Sequence, residues 1–488
     1  MSETTETSRG TDAGAAGSER FDVIVIGAGV AGVACALEVA RSGAAVAILD
    51  SSPVVGGTAS GAGGGTCIAG SALQAREGIV DSVDAALEDW VAWGGDTVDV
   101  AWAERYLRAS GPLLFDGLSE AGVRWVSVHP HEGNRVPRWH RPDGGGRRVM
   151  EVLEAQARTL PGIAWRLGHR VVEIVRAGGR VVGVQAVQGE RTVELSAPVV
   201  VVASGGFNND PELVGRHAVQ AAGAERVLLG GGRGARGEGH RMLQRLGAQF
   251  TELDAVWMYP YATPDYRHED TGRGLAIRGV DGEIWVNDEG SRFHDEHLRG
   301  GATGTAALLR QPGGRGWSVI DARIASRMVI ADPDYMDGNT PIRDRVEAFL
   351  RESPYVRSGA TPAELADGMG VDRTRLEAAI AEINRAVSAG VDRDPEFGRP
   401  LAGLTALEAA PFYAVRLYPM ARKNLGGVRT DLDGQVLDAG DRPIPGLFAA
   451  GEVAGMAGGR INGRAALEGT AFGPSFFSGV VAGQAIAR

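Results

Sequence analysis

The stretch FDVIVIGAGVAGVACALEVARSGAAVAILDSS, residues 21–52, constrains the fold more than any other part of the chain. Val23 to Ile26 run without a polar interruption, the pattern of a short strand buried on both faces. Gly27, Gly29 and Gly32 punctuate the turn that follows, a helix-like run extends from Val30 to Ser42, and a second strand from Ala45 to Leu49 ends at Asp50. Gly27 permits a sharp turn, Gly29 lets backbone approach a pyrophosphate, and Gly32 lets helix and strand pack closely. Free N–H groups and the helix dipole converge where such a pyrophosphate would sit. Asp50 is placed to accept from a ribose hydroxyl. In a chain with 73 glycines a bare G-x-G-x-x-G would carry little, but strand, helix, second strand and terminal acid all accompany it here. The stretch predicts a dinucleotide site, without separating NAD from FAD.

With 488 residues the chain exceeds one ordinary core, and two or three domains are expected. A net charge of −11 and the lack of a dense basic stripe argue against a nucleic-acid partner. Two cysteines cannot build a disulfide framework, which fits a reducing compartment. Residues 1–20 are small and polar with no apolar core, so they read as a disordered leader rather than a signal peptide. Apolar runs such as Val199 to Ala203 fall far short of the ~20 residues that span a bilayer, so no membrane partner is expected. The expected location is cytoplasmic.

The pattern predicts an α/β architecture: a discontinuous Rossmann-like domain of residues 21–254 and 423–488, interrupted by an α+β capping domain of residues 255–422. The last stretch, from PIPGLFAAGEVAG onward, returns to strand, glycine corner and apolar helix. It is too small to fold alone, so it is expected to complete the first domain's sheet. A second fingerprint match, Gly232-x-Gly234-x-x-Gly237, follows only three apolar residues and lacks a βαβ unit around it, so it reads as a glycine-rich loop rather than a second nucleotide site.

Several separated pieces together resemble one family, the FAD-dependent fumarate reductase and succinate dehydrogenase flavoproteins with their ketosteroid dehydrogenase relatives. The pieces are the opening fingerprint with Asp50, VVGGTASGAGGG, WHRPDGGG, VVVASGGF, ARGEGHRMLQRLGA, VNDEGSRFHDE, NLGGVRTD and IPGLFAAGEVAG. The resemblance implies FAD beneath a capping domain. Carried onto this sequence, the implied FAD positions are Gly27, Gly29, Ala31, Gly32, Asp50, Gly57, Thr58, Ala59, Gly63 and Gly64. Further along they are Val172, Ala203, Gly205, Glu238, Lys423, Gly451, Glu452, Thr470 and Ala471. Glu238 stands where the family usually has aspartate. Glu452, after a strand, can accept from a ribityl hydroxyl; its alternative is a helix N-terminal acid. Covalent relatives carry a flavin-linked histidine near the position of Thr58, and none is present here, so non-covalent FAD is expected.

The same resemblance implies hydride transfer between flavin N5 and a substrate carbon, with the protein supplying orientation and a proton path. Against the dicarboxylate reductases the clamp is altered. Tyr259 replaces the first substrate histidine, Gly274 and Leu275 replace a Thr-Glu pair, and Arg422 with Lys423 replaces the second histidine and its neighbour. The proton-donating arginine falls on Gly300, with Arg299 beside it; the last substrate arginine falls near Ala465, beside Arg464. A tyrosine hydroxyl can bond a ketone oxygen or relay a proton without a fixed charge. Tyr259 is therefore the leading catalytic candidate, with Tyr261 and Tyr418 behind it, each against the alternative of an ordinary half-buried tyrosine. Arg299 can place charge near an enolate or form a surface ion pair with Asp295 or Glu296. Arg422 can clamp a carboxylate. Tyr259 and Arg422 stand at the two chain crossings, so cap closure can bring both to substrate.

The expected activity is an FAD-dependent dehydrogenase or reductase acting on a carbon–carbon bond next to a carbonyl, in a steroid-like or polycyclic ketone or enone. The alternatives are a dehydrogenase or oxidase of a small carboxylic acid or amine, and a non-catalytic FAD-binding protein. The electron donor or acceptor is unassigned. No metal is inferred: His129 and His131 resemble neither a metal set nor a triad. Cys67, with no partner cysteine nearby, and Cys35 read as non-redox residues. Trp90, Trp93 and Trp102 read as core, and His140 as shaping the flavin pocket rather than reacting.

Overall fold

The computed structural model describes residues 19–337 and 340–488. Residues 1–18 of the expected leader lie outside the described residues. Its last two, Glu19 and Arg20, pair in parallel with Leu195 and Ser196.

A six-stranded sheet forms the centre of the nucleotide-binding part. Its order is Gln435–Leu437, Pro443–Ala449, Val199–Val202, Val23–Ile26, Val46–Asp50 and Ile163–Leu167. All neighbours are parallel except the first pair. Val200 pairs with both Ile24 and Leu447, so strands from the two ends of the chain flank one central strand. The helix Val30–Arg41 is buried along most of its length, because ten of its residues are small or apolar and face protein on both sides. The C-terminal helix Phe472–Ile486 lies directly on it: a Cβ on Gly479 would overlap the Ala31 carbonyl, and one on Gly483 would stand 2.7 Å from that of Cys35. Close helix contact of this kind is what joins the C-terminal stretch to the first fingerprint.

The cap is built on a mixed sheet in which Phe412–Asn424, thirteen residues long, pairs antiparallel with Val256–Pro264 on one side and Gly316–Asp321 on the other. These are the strands that carry the chain into and out of the cap, and Val256 sits opposite Asn424. Leu228–Leu229, before the expected boundary, also pair with Met420–Ala421. A separate apolar core underlies the cap, from Leu275 through Phe349 and Ile380 to Val415. No helix among the described residues is long and apolar enough to cross a membrane.

Candidate active site

The first fingerprint folds as its spacing predicts. Gly27 takes a φ of 114°, and a side chain there would overlap the Ala203 carbonyl. A Cβ on Gly32 would overlap the Gly27 carbonyl, so that glycine sets how closely helix and strand approach. Gly29 differs: a Cβ there meets nothing within 4 Å. It faces open space at the N-terminus of a helix with no side-chain cap, where unpaired N–H groups await an acceptor. Gly57 lies across that space, its Cβ position 3.5 Å from Gly29 Cα. The Asp50 carboxylate accepts from Ala28 N–H at 2.7 Å and Ser52 N–H at 2.8 Å, which fixes it at the strand end beside this opening. Thr58 and Ala59 follow in the short helix Gly57–Ser60, and Gly63 and Gly64 pack against Trp139 and Gly146.

Other implied cofactor positions converge on the same region. Ala203 N–H donates to Ile26 carbonyl at 2.8 Å, and the corner continues through Gly205 to Gly206. At Gly206 a side chain would overlap Asn424 and Glu452. Glu452 Oε1 accepts from Asn424 N–H at 3.0 Å and from Asn208 Nδ2 at 3.1 Å; its other oxygen carries no hydrogen bond to a described residue. Burial pushes the Glu452 carboxyl up, against the pull of that N–H and of Lys423 and Arg422. Gly451 and Ala31 meet, their Cβ positions 2.9 Å apart. Thr470 donates to Leu467 carbonyl at 2.6 Å, and Ala471 begins the final helix without a side-chain cap, a second helix end with free donors. Val172 is an extra residue between Val171 and Glu173 in its sheet pairing, so its backbone is bulged out of the ladder. Glu238 opens the helix Glu238–Arg245, with Arg170 3.6 Å away. Two uncapped helix ends, open space at Gly29 and a spare carboxylate oxygen fit a long phosphate-bearing cofactor with a polyol segment.

Over this region the cap presents a cluster of rings and cations. Tyr259 and Tyr261 are stacked, centroids 5.0 Å apart at 23°. The Arg278 guanidinium lies 4.4 Å from the Tyr261 ring centre and 5.3 Å from that of Tyr259. Arg299 covers Tyr261 at 5.0 Å, and the Lys423 ammonium lies 5.6 Å from the Tyr259 ring. Each cation gains from the negative ring face when water is excluded. Burial pushes the Tyr261 hydroxyl well above its ordinary range, with Arg278 opposing. Desolvation would lower Lys423 and, although its residue is exposed at the strand end, Arg278; the neighbouring tyrosines and Glu468 outweigh it and hold both above their usual values. His131, an exposed residue edge-on to Trp139, is held below its usual value by desolvation and by the charges of Arg278 and Lys423, with Glu468 opposing.

The alternative surface ion pair for Arg299 is not what forms. Arg299 Nη2 lies 3.0 Å from Oε1 of the buried Glu283, and neither Nη2 nor Nε meets hydrogen-bond geometry with a described atom. Asp295 instead accepts from His297 N–H, and Glu296 pairs with Arg292 and Arg399. Tyr418 does not join the tyrosine pair: its hydroxyl donates to Glu225 at 3.3 Å, and its ring faces Arg226. Arg422 donates to the Gly230 carbonyl beside Lys423. Arg278 and Glu468 are residues the sequence reading missed, and His131 was weighed there only as a metal or triad residue. The loop of the second fingerprint folds onto the short helix Gly57–Ser60, since a side chain at Gly232 would overlap Thr58. Trp90 and Trp102 are core, His140 is held between Ser71 and the Arg138 carbonyl, and Cys35 and Cys67 are unpaired and buried.

Residues 22–471 match the FAD binding domain family. A KsdD-like steroid dehydrogenase of Mycobacterium tuberculosis is 32% identical, with 96% of each chain covered. The open conformation of a flavocytochrome c3 fumarate reductase superposes with a TM-score of 0.76 at 28% identity, covering 97% of this chain and 79% of that one. The 3-ketosteroid-Δ4-(5α)-dehydrogenase of Rhodococcus jostii, solved with 4-androstene-3,17-dione, superposes with a TM-score of 0.72 at 26% identity over 98% of both chains. The chain belongs to the FAD binding domain family and is an FAD-dependent oxidoreductase of the fumarate reductase and ketosteroid dehydrogenase type.

Proposed function

We propose that the protein oxidises or reduces a carbon–carbon bond next to a carbonyl, in a ketone or enone of steroid-like or polycyclic shape. Bound FAD supplies the hydride step at its N5. The observation that carries the reading is the stacked Tyr259–Tyr261 pair between Arg278, Arg299 and Lys423. Phenol hydroxyls donate to a neutral oxygen, and the cations oppose negative charge that develops on it as the adjacent carbon loses or gains a proton. Tyr259 is the residue proposed to hold or move that proton, with Arg278 and Lys423 beside its ring. Gly274 and Leu275 are buried and apolar where a dicarboxylate clamp would need polar side chains. The relatives that bind or act on steroids support the substrate class. FAD is proposed to bind non-covalently, Thr58 offering no imidazole for a flavin linkage. Division into residues 21–254 with 423–488 and a cap of 255–422 fits the paired crossing strands, and cytoplasmic residence fits two unpaired cysteines.

A second reading is a substrate that also bears one carboxylate. Arg278 makes no ion pair with a described residue and could receive it. Anaerobic mixing tests the two together. Saturated ketones should bleach the oxidised flavin, or enones should reoxidise the reduced flavin. Reaction with small acids alone, and with no ketone or enone, would reject the leading reading.

A further inference from the structure

The hairpin between the strands Trp125–His129 and Trp139–Pro142 reaches from the nucleotide-binding part to the cap through one side chain. Glu132 Oε1 accepts from Gly300 N–H at 2.8 Å, and Oε2 accepts from the Thr303 hydroxyl. Among the described residues, no other side chain of this hairpin is hydrogen-bonded to the cap. A Cβ on Gly300 would stand 3.0 Å from both carboxylate oxygens, so the absence of a side chain there is what admits Glu132.

Both ends of the contact are built for it. On the hairpin side, Arg138 pairs with the fully buried Asp81 at 2.7 Å and with Asp89 at 2.5 Å, and Arg135 also binds Asp89. This buried network fixes the base of the hairpin. On the cap side, Thr303 stands at the N-cap of the helix Gly304–Leu309 yet does not cap it. Its hydroxyl donates toward Glu132, with the Leu298 carbonyl at 3.1 Å as a second acceptor within its own loop, so the side chain ties the loop both to itself and to the hairpin. The loop is otherwise laid on the strand that carries Tyr259: a Cβ on Gly301 would overlap Trp257, and the Thr305 hydroxyl donates to the Met258 carbonyl at 2.9 Å.

Arg299 immediately precedes Gly300. We infer that Glu132 is a positioning residue: its carboxylate latches residues 300–303 of the cap to the nucleotide-binding part and thereby sets Arg299 against Tyr261 over the substrate space. The contact is charge-assisted at both ends, so its loss releases the loop rather than merely loosening one bond. The kinetic consequence rests on the proposed function; the latch itself does not.

The test uses the full-length holoprotein with Glu132→Ala, Thr303→Val and Thr303→Ser. Hydrogen exchange of a peptide spanning residues 298–305 should quicken by about tenfold to a hundredfold in Glu132→Ala, the range for hydrogen bonds to a charged group. Peptides of the six-stranded sheet should be unchanged. Thr303→Val should give part of the effect and Thr303→Ser should restore it. With a ketone or enone that reacts with the wild type, KM should rise and kcat fall together in Glu132→Ala, while FAD stays bound. Unchanged exchange in residues 298–305 would overturn the inference, as would acceleration spread evenly over the molecule. The exchange arm needs no turnover, so it decides on the latch even where the substrate reading fails.

Discussion

Replacing Gly29 by Ala separates the cofactor site from the stability of the fold. At Gly29 the backbone has φ −81° and ψ −175°, extended geometry that any residue adopts, and a Cβ meets nothing within 4 Å. The variant therefore creates no clash in the protein. Its effect on apoprotein stability should lie within about ±0.5 kcal/mol, the range for substitutions that touch nothing. The methyl instead projects into the opening between the first helix and Gly57, where the pyrophosphate is proposed to lie. Displacing that group from the helix N–H donors forfeits charge-assisted hydrogen bonds worth about 1.5–3 kcal/mol, so FAD affinity should fall about tenfold to a hundredfold. Gly32→Ala is the contrasting control: its Cβ overlaps the Gly27 carbonyl and lies 3.2 Å from Val25 Cγ1. Overpacking of that kind costs about 1–3 kcal/mol, and apoprotein stability should fall with FAD binding. Chemical denaturation of the apoproteins, with FAD titration followed by flavin fluorescence, measures both quantities. Wild-type FAD affinity in Gly29→Ala would refute the placement of the phosphates.

Two further outcomes follow from buried charge. His240 is fully enclosed beside Phe207 and Phe250 with neither ring nitrogen bonded, and burial first, then His217 and Arg241, holds it down at about 3 from an ordinary 6.5. The folded state therefore refuses a proton that the unfolded chain accepts. The contribution is present above pH 6.5 and is lost as pH falls toward 3, by about 1 kcal/mol at about pH 5.5. Urea denaturation at pH 7.5 and 5.5 should show this loss in the wild type and not in His240→Leu; equal losses would contradict it. Arg138→Met leaves the Asp81 carboxylate buried without a cation and Asp89 with Arg135 alone, and should cost about 3–5 kcal/mol by the same assay, with a wild-type midpoint as the contrary result.

The nucleotide unit was legible because its determinants are local. The expected helix from Val30 to Ser42 is Val30–Arg41 with Ser42 as its C-cap, and the expected strand from Ala45 to Leu49 is Val46–Asp50. The helix Arg373–Ser388 starts where the Asp372 carboxylate accepts from Arg375 N–H and so caps it, a local signal of the same kind. In the run AWAERYLRASGPLLFDGLSEAG, apolar spacing shows helix but not the π-helical turn Ser110–Asp116 at its centre. The candidate site was half legible. Glycines and acids that bind a cofactor sit in motifs, and Tyr259 was found by resemblance. Arg278, Arg299 and Lys423 meet the tyrosines from three separate parts of the chain, and no spacing in the sequence encodes that meeting. Tyr418 shows the converse: it shares a strand with Lys423 but faces Glu225 and Arg226. Arg299 was found, yet its partner Glu283 comes from the strand region before it rather than from its own charged loop.

The most direct test of the central claim is the rate at which a reactive saturated ketone bleaches the flavin of Tyr259→Phe, measured anaerobically by stopped flow. Phenylalanine keeps the ring against Tyr261 and removes only the hydroxyl. With FAD bound as in the wild type, the rate should fall by about a hundredfold to ten-thousandfold, the usual loss when a proton-transfer group is removed. A variant that holds FAD and is reduced at the wild-type rate would show that the proton moves elsewhere.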